Sequence, residues 1–157
     1  MDKEIVQKII DIGEQLFKTA QDPTQIPISW GSYYKLQELH QDSLLCKTEN
    51  GELISYVVTL PTKKELMNDF LEGKINEREL LDLTKPQKIY EALYLCEAFT
   101  TSEHRRRGYI IELFRQAISS IPHTSDVKLF TWPFSEEFKK LTEKLSSILG
   151  TKILIKE

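Results

Sequence analysis

No apolar run in the sequence approaches the roughly 18 residues needed to span a bilayer, so a membrane is not an expected partner. The N-terminus, Met1-Asp-Lys-Glu4, lacks the charged-then-apolar order of a secretory signal. Cysteine is scarce. Cys46 and Cys96 make no disulfide framework and have no metal-ligand spacing, which fits a reducing, cytoplasmic setting. His40 and His123 have no partners at metal spacing, so no metal is expected. A large excess of either charge is also missing. The net charge of −3 argues against a general nucleic-acid binder, although a local basic patch could still hold phosphate. Without repeats, low-complexity tracts or linkers, residues 1–157 read as one domain, long enough to bury a substantial core.

What is present alternates between helical and strand periodicity. Ile5, Ile9, Ile12 and Leu16, widened by Val6, Ile10 and Phe17, predict a first helix with Asp2 as N-cap. It ends at Asp22-Pro-Thr-Gln-Ile-Pro27. Residues 29–40 hold Trp30, Tyr33, Tyr34, Leu36 and Leu39 without a clean period and read as a loop or short helix. Residues 42–48 and 52–60 flank Glu49-Asn50-Gly51 as a hairpin, with Pro61 stopping its second strand. Thr62-Lys-Lys-Glu65 and Asn76-Glu-Arg-Glu79 both fit capping boxes, the first with Leu66, Phe70 and Leu71 buried. Two short helices therefore form an insert at about 62–83, too long for a plain connection and expected to be functional or interface-forming. A strand over 90–100, a helix over 106–120, a strand over 126–131, a helix from Ser135 and a strand over 151–156 complete the order. The helix from Ser135 buries Phe138, Leu141, Leu145 and Ile148, and Gly150 closes it. The fold class is mixed α/β (α+β) around a single sheet flanked by helices.

The most informative stretch runs from Ala92 to Ala117. A nearly continuous apolar strand enters a polar turn, and Arg105, Arg106, Arg107 and Gly108 then open an amphipathic helix with Ile110, Ile111, Phe114, Ala117 and Ile118 inward. A helix N-terminus preceded by cationic side chains suits a phosphate, which its unpaired amides and positive dipole end attract. Gly108 lets backbone approach an anion closely or take a positive φ. Within the strand, Glu97 is a lone carboxylate among apolar residues, where burial would raise its pKa and make it a better proton acceptor. A structural glutamate paired with an arginine or reaching solvent is the alternative. Glu103 and His104 read as loop residues, and Cys96 as a small buried thiol.

This pattern resembles the GNAT superfamily of acyl-CoA-dependent N-acetyltransferases in element order over most of the chain, and in motif between Leu93 and Ala117. The family places an acyl-CoA pyrophosphate on a loop of the form Arg/Gln-x-x-Gly-x-Gly/Ala after its fourth strand. Here Arg105-Arg-Arg-Gly108-Tyr109-Ile110 occupies that place, with Ile110 where the family has Gly or Ala. The resemblance implies a single mixed, mostly antiparallel sheet and acetyl-CoA or another acyl-CoA as co-substrate. Its pyrophosphate would lie on Arg105, Arg106, Arg107, Gly108, Tyr109 and Ile110, and its pantetheine arm along Ala98, Phe99 and Thr100. Glu97 would be the base for a primary amine that attacks directly; whether that amine is a small molecule or a protein is left open, as is a homodimer. The family often carries a tyrosine in the helix after the next strand, where it protonates the leaving thiolate. The helix after Ser135 has none. The alternative is a non-catalytic fold relative that senses acyl-CoA or serves as a protein-interaction module. Trp30, Tyr33, Tyr34 and Tyr56 are candidates for an acceptor pocket, and Trp132-Pro133 for the cofactor cleft.

Overall fold

In the computed structural model, which describes all 157 residues, six α-helices surround one five-stranded sheet. The elements are α1 (Lys3–Phe17), α2 (Trp30–Leu39), β1 (Leu44–Glu49), β2 (Glu52–Thr62), α3 (Lys64–Leu71), α4 (Glu77–Leu83), β3 (Tyr90–Thr100), α5 (Tyr109–Ser120), β4 (His123–Thr131), α6 (Glu136–Leu149) and β5 (Ile153–Ile155). The strands lie in chain order. β1, β2 and β3 pair antiparallel with the longer ladders, while β4 and β5 add parallel rungs. No helix is long and apolar enough to cross a membrane.

Local chemistry sets most boundaries. Asp2 accepts from the Glu4 amide at 2.8 Å, Ser29 caps α2, Ser135 caps α6, and Gly150 ends α6 at φ 66°. The ambiguous aromatic segment is a helix because Ser29 accepts from the Ser32 amide, while Leu36 and Leu39 enter the core. Asn50 and Gly51 both take positive φ, as a two-residue hairpin turn with right-handed strands requires.

Several boundaries differ from the sequence reading: β1 begins at Leu44, β4 already at His123, and β5 spans only Ile153–Ile155. Pro61 does not stop β2, which continues to Thr62 in register with β3; β1 stops pairing at Val58, and along the open edge beyond it a missing N–H is tolerated. The first capping box does not form. Thr62 stays in the strand with its hydroxyl 2.7 Å from that of Thr84, and Lys63 takes the N-cap position without a side-chain bond. The second box, Asn76 with Glu79, forms in both directions. Finally, α5 begins at Tyr109, three residues after the expected start, because Arg106 and Gly108 take φ of 65° and 78° and cannot be helical. Leu16 and Ile148, expected inward, are exposed.

The sheet is covered on both faces. Phe114 of α5 meets Phe138 of α6 at 6.3 Å, so these two helices share one face, as right-handed crossovers through consecutive parallel strands require. On the other face Ile5 and Ile9 of α1 pack on Leu44, Leu53 and Tyr56. There too Phe70 of α3 meets Tyr94 and Phe130, whose rings stack at 5.0 Å.

Candidate functional site: a bulged central strand between a cavity and an arginine loop

Two irregularities of β3 create the site. Val58 pairs with Glu97 and Thr59 with Leu95, so Cys96 is an extra residue, a β-bulge. A bulge cancels the usual alternation, and Cys96 and Glu97 both reach the same cavity. The second irregularity is a parting of strands. β3 and β4 pair only as far as Leu95 and Thr131, whereas β3 continues beside β2 to Thr100. The Thr131 hydroxyl closes the last rung by donating to the Leu95 carbonyl at 2.7 Å. Beyond it, the β4-facing edge of residues 97–100 has no ladder partner, and Trp132, Pro133 and Phe134 turn away along the cavity.

The cavity has a volume of about 510 Å³, and fourteen of its twenty-two lining residues are hydrophobic. α1 contributes Ile9 and Ile10, the segment before α2 contributes Ile26 and Ile28, and Phe134 closes one side. Glu97 lies in this wall at 8% exposure. Burial pushes its carboxyl up from the ordinary 4.5 to about 8, the neighbouring Tyr56 hydroxyl pulls it part of the way back, and the Glu77 charge adds to the rise. Tyr56 Oη is fully enclosed and close enough to Glu97 to lower its pKa, but it lies outside the geometry of a formed hydrogen bond. No salt bridge ends on Glu97 either. The alternative of a structural glutamate paired with arginine is thus not what the chain folds into. The Cys96 thiol is held well above its ordinary pKa by burial and by both glutamates, which makes it a poor nucleophile.

Glu77, from the insert, also lines the cavity, but both its oxygens are occupied. One accepts from the Ile26 amide at 2.9 Å and the other from the Tyr94 hydroxyl. Burial raises its pKa, and those two bonds hold it down in part. Arg78 donates to the Gln25 carbonyl at 3.2 Å, so the insert clamps the segment before α2 against the sheet. Nothing in the sequence marked Glu77. As the first residue of a capped helix it reads as an ordinary N-terminal acid.

The second part of the site sits past the end of β3. A short 3₁₀ turn, Ser102–His104, leads into Arg105, and the exposed residues Arg105, Arg106, Arg107 and Gly108 form a loop ahead of α5. Gly108 is the N-cap of α5 and offers no side-chain bond, so the first amides of the helix, from Tyr109 onward, are left open. A Cβ placed on Gly108 would meet nothing within 4 Å, so the loop is open to solvent at that point. Ile110 does not crowd it, because its side chain packs against the main core. The Thr101 hydroxyl lies 2.7 Å from His104 Nδ1, and Lys47 stands over the Tyr109 ring at 4.9 Å, tying the loop to the hairpin.

The expected site residues therefore fall in two places joined by one strand edge. Glu97 faces the cavity. Ala98 and Thr100 are buried, and the Ser55 hydroxyl donates to the Phe99 carbonyl and pairs with the Thr100 hydroxyl, leaving backbone rather than side chains on the open edge. Glu103 lies in the 3₁₀ turn that precedes the arginines. Of the four aromatic candidates only Tyr33 lines the cavity. Trp30 is turned to Gln7, Tyr34 is exposed, and Tyr56 lies fully buried. Trp132 and Pro133, expected at a cofactor cleft, line this cavity. Compared with known proteins, the chain matches no family model, no curated protein and no solved structure.

Proposed function

We propose that the protein is an acyl-CoA-dependent N-acyltransferase, using acetyl-CoA or a related thioester to acylate a primary amine by direct attack. The observation that carries this reading is the parting of β3 from β4 immediately before Glu97, with the arginine loop and uncapped helix N-terminus at the end of the same strand. A pyrophosphate would lie on the amides from Tyr109 and on Arg105–Arg107, which balance its charge. The pantetheine arm, an extended chain with amide groups, would add to the unpaired edge of residues 97–100 as a further strand does. That route leads the thioester toward the cavity.

The chemistry asks little of the protein. An ammonium entering the cavity loses one proton to the Glu97 carboxylate or through it to solvent, and the neutral nitrogen attacks the thioester carbonyl. Backbone N–H groups on the open edge face the developing oxyanion. The C–S bond then breaks, the second proton leaves the nitrogen, and the sulfur departs as thiol. α6 has no tyrosine, so that last proton travels by the substrate nitrogen or water. The missing tyrosine favours the second reading, a fold relative that binds acyl-CoA without turning it over.

Calorimetric titration with acetyl-CoA, followed by thiol release over a panel of amines, tests both. Wild type should bind, and Arg105→Ala should weaken binding about tenfold, the loss of one charge-assisted phosphate contact. No binding to wild type would end the proposal, and binding without turnover on any amine would leave the sensor.

A further inference from the structure

Building on the acyltransferase reading, we infer that the acceptor is a monoamine with an apolar body, an alkyl- or arylalkylamine, seated in the cavity with its ammonium on Glu97. Size comes first: a cavity of about 510 Å³ suits a small molecule. Its lining contains no lysine, arginine or histidine. The carboxylate of an amino acid would therefore be buried there without a partner, which disfavours it strongly. The threonine, serine and glutamine side chains on the wall are already engaged by the chain itself. Thr19 donates to Glu14 and accepts from the Ile28 amide, Ser29 caps α2 by accepting from the Ser32 amide and donates to the Ser32 hydroxyl, and Gln25 donates to Asp22.

Of the two carboxyls on the wall, each oxygen of Glu77 already accepts a bond from the chain, Ile26 on one and Tyr94 on the other, which leaves Glu97 as the carboxyl best placed to take a cation. One free acid means one ammonium. The second charge of a polyamine would fall among Ile9, Ile10, Ile26 and Phe134. The titratable groups facing Glu97 and its cavity are Tyr56 from β2, Cys96 from β3, Glu77 from α4 and Tyr33 from α2; none of them is a cation. A bound ammonium would thus be the first positive charge at this carboxyl, and would drive it to ionise.

The test is titration calorimetry of the full chain near neutral pH, alone and with saturating coenzyme A, using phenethylamine and hexylamine against spermidine, L-phenylalanine and hexanol. The two monoamines should bind about tenfold or more tightly than spermidine or L-phenylalanine. Buffers of different ionisation enthalpy should report release of about one proton per monoamine bound, as Glu97 ionises. Glu97→Gln should remove that release and weaken the monoamines about tenfold while leaving hexanol unchanged. Ile10→Trp, on the half-buried face of α1, should block every probe by filling the cavity. Spermidine or L-phenylalanine binding as tightly as the monoamines, unchanged monoamine affinity in folded Glu97→Gln, or no monoamine binding to folded wild type would each overturn the inference. Failure of acetyl-CoA to bind while monoamines do would overturn the acyltransferase reading and leave the cavity assignment standing.

Discussion

Glu77 and Glu97 face the same cavity from different elements, and burial raises the pKa of both. Glu77 accepts one bond from a backbone amide and one from a buried tyrosine, which joins the insert, the segment before α2 and the central strand at one point. Glu97 stands beside a tyrosine too, yet that hydroxyl makes no bond and the carboxyl has no ion pair. The difference teaches that burial alone does not define a functional acid. A buried carboxyl that accepts a bond from the chain on each oxygen holds the fold, and one left without a partner on a cavity wall is available to a ligand.

Breaking the saturated carboxyl should have the largest effect. Glu77→Ala strands the Ile26 amide and the Tyr94 hydroxyl in the interior, and denaturant unfolding should show a loss of about 2–4 kcal/mol. Tyr94→Phe should follow at about 1–3 kcal/mol, because it removes the charge-assisted bond and leaves one oxygen of a buried carboxylate unsatisfied.

Glu97 should reveal itself through pH rather than through a fixed loss. Its folded pKa lies above the unfolded value, so the native state holds the extra proton between about 4.5 and 8. Stability from this group is present below that window and is lost as pH rises through it, at no more than about 1.4 kcal/mol per pH unit. Glu97→Gln should match wild type near the acid end and exceed it above the window, with the slope flattened in unfolding curves taken across the range. An unchanged slope would mean that Glu97 is not the group that titrates.

The smallest effect sharpens the contrast most. Tyr56→Phe deletes a hydroxyl that has no partner, so its stability should move by less than about 1 kcal/mol, well short of Tyr94→Phe. Removing the downward pull of that hydroxyl should also raise the Glu97 pKa further, which nuclear magnetic resonance of the carboxyl carbon can follow. Equal losses in the two tyrosine variants would break the comparison.

Much of the fold was legible in the sequence because local rules govern it. Asp2, Ser135 and Asn76 act as caps within a turn of their own helices, Asn50-Gly51 fits one hairpin geometry, and β3 is bounded at Tyr90 and Thr100 as its apolar run implies. Errors arose where a neighbour in space replaced a neighbour in sequence. Thr62 was free to cap α3 until Thr84, on the far side of the insert, claimed its hydroxyl. Glu97 could be singled out by its composition alone, an acid in an apolar strand. Glu77 could not, since its partners lie 51 and 17 residues away.

The sequence by itself determined an α/β chain with a strand–turn–helix that collects arginines and a glycine ahead of α5. Those features depend on residue type and on spacing within a few positions, which any folded state inherits. Tertiary structure decided what they amount to. A one-residue bulge at Cys96 turned Glu97 into the cavity, the end of pairing at Leu95 and Thr131 left a strand edge open, and the core received Ile110. Register and pairing are sums over contacts between distant segments, and no local window contains them.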